Sequence, residues 1–295
     1  MKPRVFLGGC VGFVLALGGC KSRPSAEGVP VGSVALPAPI ASSLPIDPKI
    51  VSAAVNAKGE APYAGPTGTI SGIITAVGDP APHMPEAVAK ITDDCATARE
   101  TYGNLFREGA GRALADVVIG VTGYTGYLPE DEPAVIADAT GCAWNSRTYV
   151  LTFGQSLDVR SRDSRPYVPD LMGARLKAQL VALPRGEAIH LYPEQPGRYV
   201  LTDSMRLFMM AEVLVVKFPT HAVTGLDGRF TIPRVPVGKV KLSALLAATS
   251  AQAEKEVEVH AGELLEVPLT LSFDRKSWDA HRGPDASAAP APSAR

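Results

Sequence analysis

The sequence has little charge imbalance, few cysteines and few aromatic residues. Its 295 residues include 29 Lys and Arg against 30 Asp and Glu, four cysteines and 6% aromatic side chains. A near-neutral chain gives no reason to expect a nucleic-acid partner, because phosphate neutralisation needs an excess of basic side chains. After the first twenty residues, no apolar run reaches the roughly 20 residues that a membrane-spanning helix requires.

Sequence motifs of catalysis are also missing. There is no G-x-S-x-G elbow or metalloprotease helix, and Ser164 and Ser204 have no base that the sequence places beside them. The five histidines are scattered and share no metal-ligand spacing. We therefore predict a non-catalytic protein without a cofactor.

The N-terminus has the pattern of an export signal. Lys2 and Arg4 precede an apolar stretch over residues 5–17, and the small residues Gly18 and Gly19 follow. A positive start, a short apolar stretch and small residues predict a cleaved signal peptide over residues 1–19 rather than a spanning helix.

Leu17-Gly18-Gly19-Cys20 resembles the lipobox of bacterial lipoproteins. The resemblance implies lipid attachment at Cys20, and several acyl chains on one residue hold a protein stably on a membrane. Lys21 stands where some lipoproteins carry Asp, and in this the sequence resembles lipoproteins sorted to the outer membrane. The alternative is an ordinary secreted protein in which Cys20 is incidental.

The predicted mature chain contains two cysteines besides the anchor Cys20. An even pair in an exported chain predicts a disulfide between Cys95 and Cys142. Closing a loop of that length stabilises a fold by roughly 4 kcal/mol in the chain-entropy interpretation. Two free thiols binding a metal are the weaker alternative, because neither lies in a close-spaced ligand motif.

The composition divides the chain into a folded centre and two flexible ends. Residues 20–66 are rich in Pro, Ala and Ser and predict a disordered tether, as residues 276–295 predict a disordered tail. Between them, short runs of alternating apolar residues separated by Gly and Pro predict an all-β fold of two β-sandwich domains. Only residues 95–107 suggest a helix.

A hairpin motif marks the C-terminal part. Asp227-Gly228 predicts a tight turn, after which Phe230 and Ile232 share one face of a strand. The run over residues 224–240 resembles the carboxypeptidase-regulatory-like, or transthyretin-like, family. The resemblance implies a seven-stranded sandwich over residues 218–275 and a non-catalytic module, of a kind that in some members binds glycans.

Residues 67–217 show a looser resemblance to cupredoxin-like proteins related to methylamine-utilisation proteins. It rests on residues 68–73, 87–95, 114–119, 154–163 and 196–201, on the position of Cys142, and on the order of the two domains. The resemblance implies a cupredoxin-like Greek-key sandwich.

The copper ligands of that family are not kept. A type I copper site needs a thiolate, two imidazoles and often a weak thioether. The resemblance places Tyr167, Asp203, Arg206 and Met209 at these positions, so only the thioether remains. We therefore predict no metal. The methionines at 205, 209 and 210 leave open a soft Cu(I) site, although methionines more often fill gaps in a core.

These observations predict a cell-envelope lipoprotein, anchored to the membrane through its lipid, that acts as a binding or scaffolding module for an envelope protein or polysaccharide. One alternative is a carbohydrate-binding module on the cell surface, for which Tyr124, Tyr127, Trp144 and Tyr167 are the aromatic candidates. The other is a copper-handling or electron-transfer cupredoxin.

Overall fold

The computed structural model describes residues 44–174 and 180–282, and the predicted all-β fold is confirmed. The strands are β1 (Thr67–Gly78), β2 (Val117–Thr122), β3 (Ala134–Thr140), β4 (Ala143–Trp144), β5 (Thr148–Thr152), β6 (Ser156–Ser161), β7 (Pro169–Met172), β8 (Ile189–Leu191), β9 (Gly197–Asp203), β10 (Met210–Val216), β11 (His221–Val223), β12 (Arg229–Pro236), β13 (Gly238–Leu246), β14 (Ala251–Val259), β15 (Leu264–Glu266) and β16 (Leu269–Phe273).

The helices in the described ranges are short. They are α1 (Pro48–Val55), α2 (Pro85–Val88), α3 (Ala96–Tyr102) and α4 (Arg275–Arg282), with a 3-10 turn at Ala110–Arg112. Helix α3 lies inside the predicted range 95–107 but ends five residues earlier, at Tyr102. None of the described helices is long and apolar enough to cross a membrane.

Strands β3 to β10 form the first sandwich, called sandwich one below. One sheet has the order β4-β3-β6-β8 and the other β5-β10-β9-β7. Apolar side chains from both sheets fill its core, among them Trp144, Leu151, Leu157 and Leu201. Every residue of β5 is buried, because one face of this strand packs on the core and the other faces β2 and β11.

Sandwich two combines β1, β2 and β11 to β16. Strand β1 lies between β12 and the pair β15 and β16, and the second sheet has the order β11-β2-β13-β14. Alternate residues of these strands face a separate apolar core that contains Ile70, Ile119, Ile232 and Leu242. Phe230 and Ile232 are both buried in it, as the sequence predicts.

The predicted boundary at residue 217 does not separate the two sandwiches. Strands β1 and β2 lie before it, yet they pair with strands that lie after it, so sandwich two has eight strands rather than seven within residues 218–275. The reason is strand pairing: β1 is a central strand, and without it β12, β15 and β16 lose the backbone hydrogen bonds that join them in one sheet.

Both ends that the composition predicts to be disordered contain helical residues. Within the range 20–66, Asp47 caps α1 through a hydrogen bond from the Lys49 amide, and Val51 and Val55 of this helix pack on the core of sandwich one. Helix α4 likewise covers part of the predicted tail. The signal peptide, Cys20 and the tether up to residue 43 lie outside the described residues.

The predicted disulfide between Cys95 and Cys142 is confirmed. Their sulfur atoms are 2.05 Å apart, and both residues are buried in the core of sandwich one. The bond joins the start of α3 to the turn between β3 and β4.

A buried ion pair joins the two sandwiches along their contact, called the seam below. The carboxylate of Asp116, just before β2, accepts hydrogen bonds from Arg107 Nε (2.7 Å), the Arg147 amide (2.8 Å) and Ser146 Oγ (3.0 Å). Arg147 and Ser146 belong to sandwich one, so this carboxylate contacts both halves of the fold.

Candidate functional site: a closed pole and an open groove

The residues at the expected copper-ligand positions come together at one end of sandwich one, called the pole below. Asp203 ends β9 and is fully buried. Its carboxylate accepts hydrogen bonds from the amides of Val168 (2.7 Å) and Met205 (3.0 Å), and Arg206 Nη1 lies 3.5 Å away.

Tyr167 completes the pole. Its ring is fully buried beneath the Arg206 guanidinium, whose carbon lies 4.9 Å from the ring centre. Its hydroxyl donates to Asp163 Oδ2 (2.9 Å) and accepts from the Cys142 amide (3.2 Å). Burial, followed by the neighbouring Asp163 carboxylate, raises the pKa of Tyr167 to about 12.

Three of the four pole residues, Tyr167, Asp203 and Arg206, are engaged with protein groups. A carboxylate, a guanidinium and a phenol satisfy one another there, without an imidazole or a thiolate. In the described ranges, one group of histidine, cysteine or acidic side chains lies close enough to hold a metal: Asp94, Cys95 and Cys142. Its two cysteines are joined to each other, and a disulfide sulfur is not the thiolate that binds metals.

The three methionines do not share one environment. Met209 is fully buried in the core of sandwich one, whereas Met205 and Met210 are 62% and 47% exposed. Neighbouring residues of a strand point to opposite faces, so Met209 and Met210 diverge at the start of β10. This placement favours core packing for Met209.

Of the four aromatic candidates for carbohydrate binding, two are not available on the surface. Trp144 is 1% exposed and Tyr167 is fully buried, so the prediction was wrong for both. Alternation does not reveal this, because both residues of β4, which carries Trp144, are buried and Tyr167 lies outside the strands.

Tyr124 and Tyr127 instead line an open groove beside the seam. Its first part has a volume of about 590 Å³ and lies between the end of α1, the segment 122–128 and the segment 217–219. Both tyrosines are partly exposed, and Phe218 adds a third ring. The Tyr124 hydroxyl is 3.0 Å from Thr220 Oγ1, which fixes the ring against sandwich two.

A second cavity of about 400 Å³ continues the groove and shares Tyr127 and Lys217 with the first. Its polar lining includes Glu130, Thr152 and Gln155. Glu130 Oε1 accepts from the amides at 131 and 132, both at 3.1 Å, so the carboxylate organises its own loop.

Three side chains beside this second cavity are connected by hydrogen bonds. Thr152 Oγ1 donates to Glu130 Oε2 (2.6 Å) and is 3.0 Å from His221 Nε2. Burial lowers the pKa of His221 to about 4, despite the opposing charge of Glu130. No sequence pattern indicates this hydrogen-bonded group, because its members are separated by 22 and 69 residues.

Comparisons with known proteins add a weak likeness to cupredoxins. No protein-family model and no curated protein matches the chain. Among solved structures, a reduced amicyanin mutant has 16% identity and a TM-score of 0.24, with 28% of this chain and 81% of that chain covered.

Two further structures give similar values. Amicyanin from Paracoccus versutus has 14% identity and a TM-score of 0.24, with 30% of this chain and 84% of that chain covered. A copper-containing nitrite reductase from Thermus scotoductus has 16% identity and a TM-score of 0.25, with 32% of this chain and 24% of that chain covered. The likeness to amicyanin is thus confined to less than a third of the chain.

Proposed function

We propose that this chain is a non-catalytic binding module of the cell envelope, held on the outer membrane by lipid at Cys20. The observation that carries the proposal is the groove, which is lined by partly exposed tyrosines and by side chains of both charges. Binding sites commonly combine aromatic walls with a few fixed polar groups.

The non-catalytic part of the proposal is supported by the state of Thr152. A threonine beside a histidine and a glutamate suggests a nucleophile with its base. Here Thr152 borders the cavity but is only 3% exposed, and its hydroxyl is engaged with Glu130, so little of the side chain is accessible to a substrate.

Site-specific photo-cross-linking in intact envelopes tests the binding role. A benzophenone side chain at Thr125, an exposed residue of the groove, should give a specific adduct with an envelope protein or polysaccharide. The same side chain at Leu207, which is 75% exposed near the pole, is the matched control. An absence of adducts from position 125, or identical adducts from both positions, counts against the proposal.

The groove specifically favours carbohydrate as the partner. Tyrosine rings present flat apolar faces with a polar edge, which suits the C–H faces and hydroxyls of sugars. We expect Tyr127→Ala to weaken binding to a matching polysaccharide by about tenfold, in the range of a single aromatic anchor. Leu207→Ala should bind like the wild type, and a polysaccharide panel without any binding would remove this candidate.

Copper handling or electron transfer is the other candidate, and the weak likeness to copper proteins suggests it. The pole residues argue against it, because a type I site needs sulfur and imidazole ligands. Addition of Cu(II) and Cu(I) to the purified chain should produce no copper-dependent absorbance. A blue band or stoichiometric Cu(I) uptake would restore this candidate.

A further inference from the structure

The chain of Glu130, Thr152 and His221 crosses the seam between the two sandwiches. Thr152 ends β5 of sandwich one, and His221 begins β11 of sandwich two. Thr152 Oγ1 also lies 3.3 Å from the Phe218 carbonyl oxygen. One buried hydroxyl therefore ties the segment 218–221 to sandwich one and to the Glu130 loop that lines the groove.

The segment around β11 is held more firmly on the other side. Strand β11 pairs with β2, and the hydroxyls of Thr220 and Thr224 donate to the carbonyls of Val121 (2.7 Å) and Leu114 (2.6 Å). If the contact at Thr152 is lost, β11 accordingly stays with sandwich two, and the seam is what opens.

Few charges compensate for a proton on His221. Glu130 alone exerts a favourable charge on the imidazole, and its carboxylate already accepts three hydrogen bonds. Strands β2 and β5, which flank the ring, carry no acidic or basic side chain. Lys217 precedes His221 in the sequence. Arg234 of the neighbouring β12 is paired with Asp131, 2.7 Å away.

We propose that the Glu130–Thr152–His221 chain is a proton-operated latch, in which protonation of His221 opens the seam and moves the walls of the groove apart. A buried imidazolium gains hydration when the seam opens, whereas the neutral ring keeps its hydrogen bond to Thr152 when the seam is closed. That the latch also controls ligand release rests on the proposed function of the groove.

The direction of the effect follows from the two states of the histidine. The ring has a pKa of about 4 in the closed seam, against an ordinary value of 6.5 when hydrated. The open state therefore binds more protons between these values, and acid favours opening. At pH 5 the opening equilibrium should be about 30-fold more favourable than at pH 8.

Amide hydrogen exchange of the full-length chain without ligand tests the latch. At pH 5, protection factors over residues 150–153 and 217–221 should be about 30-fold lower than at pH 8, after correction for intrinsic rates. His221→Gln keeps a donor for Thr152 but never gains a charge, so its protection should not depend on pH. His190→Gln, at a histidine of sandwich one that is paired with Asp158, is the matched control and should behave like the wild type.

Two results overturn the latch: the same loss of protection in His221→Gln, or no loss in the wild type. If His221→Gln does not fold, NMR titration of the wild-type imidazole decides, and a midpoint near 6.5 overturns it. Because these measurements contain no ligand, the latch and the binding role fail independently.

Discussion

The two sandwiches differ in how many polar side chains they bury. Sandwich two is filled by alternate apolar side chains, and the buried polar residues of its strands and loops are few: Asp116, Thr220 and Thr224. Sandwich one keeps many more polar groups inside: Thr101, Thr148, Thr152, Gln155, Ser156, Asp158, Ser161, Thr202 and Asp203.

This difference indicates that the fold of sandwich two is specified mainly by the shape of its apolar core, and that of sandwich one more by polar contacts. An apolar core accepts substitutions that conserve volume, because its contacts are not directional. A buried polar network requires every donor and acceptor to stay in place. Sandwich one, with its disulfide and closed pole, is therefore the half in which single residues matter most.

The two tryptophans allow the sandwiches to be followed separately. Trp144 lies in the core of sandwich one, and Trp278 of α4 packs against Phe273 of sandwich two, with ring centres 6.2 Å apart. Trp278→Phe leaves fluorescence from sandwich one, and Trp144→Phe leaves fluorescence from sandwich two.

Reduction of the disulfide should have the largest effect. The bond closes a loop with a sequence separation of 47, so its loss should cost sandwich one about 4 kcal/mol of unfolding free energy. Urea unfolding of the Trp278→Phe chain, with and without a phosphine reductant, measures this loss. Cys95→Ala has no bridge, so the reductant should leave its stability unchanged, and an equal shift there would contradict the prediction.

Asp203→Ala should cost about 3 kcal/mol. The change leaves the amides of Val168 and Met205 without this acceptor and the Arg206 guanidinium without its anion. Asp131→Ala removes an exposed pair with Arg234 and should cost less than about 1 kcal/mol. Equal losses in the two variants, measured by urea unfolding, would mean that the pole is not tightly constrained.

Asp116→Asn should cost about 2 kcal/mol and weaken the link between the sandwiches. Asparagine tolerates the backbone φ of 66° at this position but cannot provide the charge that Arg107 and the Arg147 amide face. In measurements on the Trp278→Phe and Trp144→Phe backgrounds, we expect the two transitions to coincide when Asp116 is present and to separate in Asp116→Asn. Coincident transitions in Asp116→Asn would show that apolar contacts alone couple the halves.

Local patterns in the sequence predicted several elements of sandwich two. A turn forms at Asp227-Gly228, where Gly228 has a φ of 67° and a Cβ would lie 2.5 Å from the Ile74 carbonyl oxygen. The prediction of a hairpin there was wrong, because β11 pairs with β2 and β12 pairs with β1. Alternation also identified which residues of β12 are buried. It does not identify the partner strand, and for this reason β1 and β2 were assigned to the wrong sandwich.

The features that the sequence did not predict depend either on contacts between residues far apart in the sequence or on a local signal that the composition outweighed. Asp47-Pro48 is a good helix start, with a capping carboxylate before a proline at the first helical position, yet it lies in a stretch whose composition predicts disorder. The contact between Thr152 and His221 has no local signal. The disulfide was predictable because only two cysteines remain after the predicted signal peptide and anchor, so one pairing is possible.

The smallest expected effect concerns acid and again separates the halves. Burial alone would raise the pKa of Asp163, but hydrogen bonds from the Arg165 and Gly141 amides and the Tyr167 hydroxyl, with the charge of Arg165, lower it below its ordinary value of 3.8. A carboxyl whose pKa is lowered by folding stabilises the fold above its unfolded pKa, and this stabilisation disappears as the pH falls below about 4.

Asp163 supports Tyr167 at the pole, so the loss should appear in sandwich one. We expect Trp144-monitored stability to fall between pH 5 and pH 3, and Asp163→Asn to reduce this slope while leaving the Trp278-monitored slope unchanged. His221 titrates through a higher window and acts at the seam, so it should affect both probes. A slope that Asp163→Asn does not change would place the acid sensitivity of sandwich one on other carboxylates, such as Asp94, whose pKa is lowered by hydrogen bonds from Thr92 and Arg165.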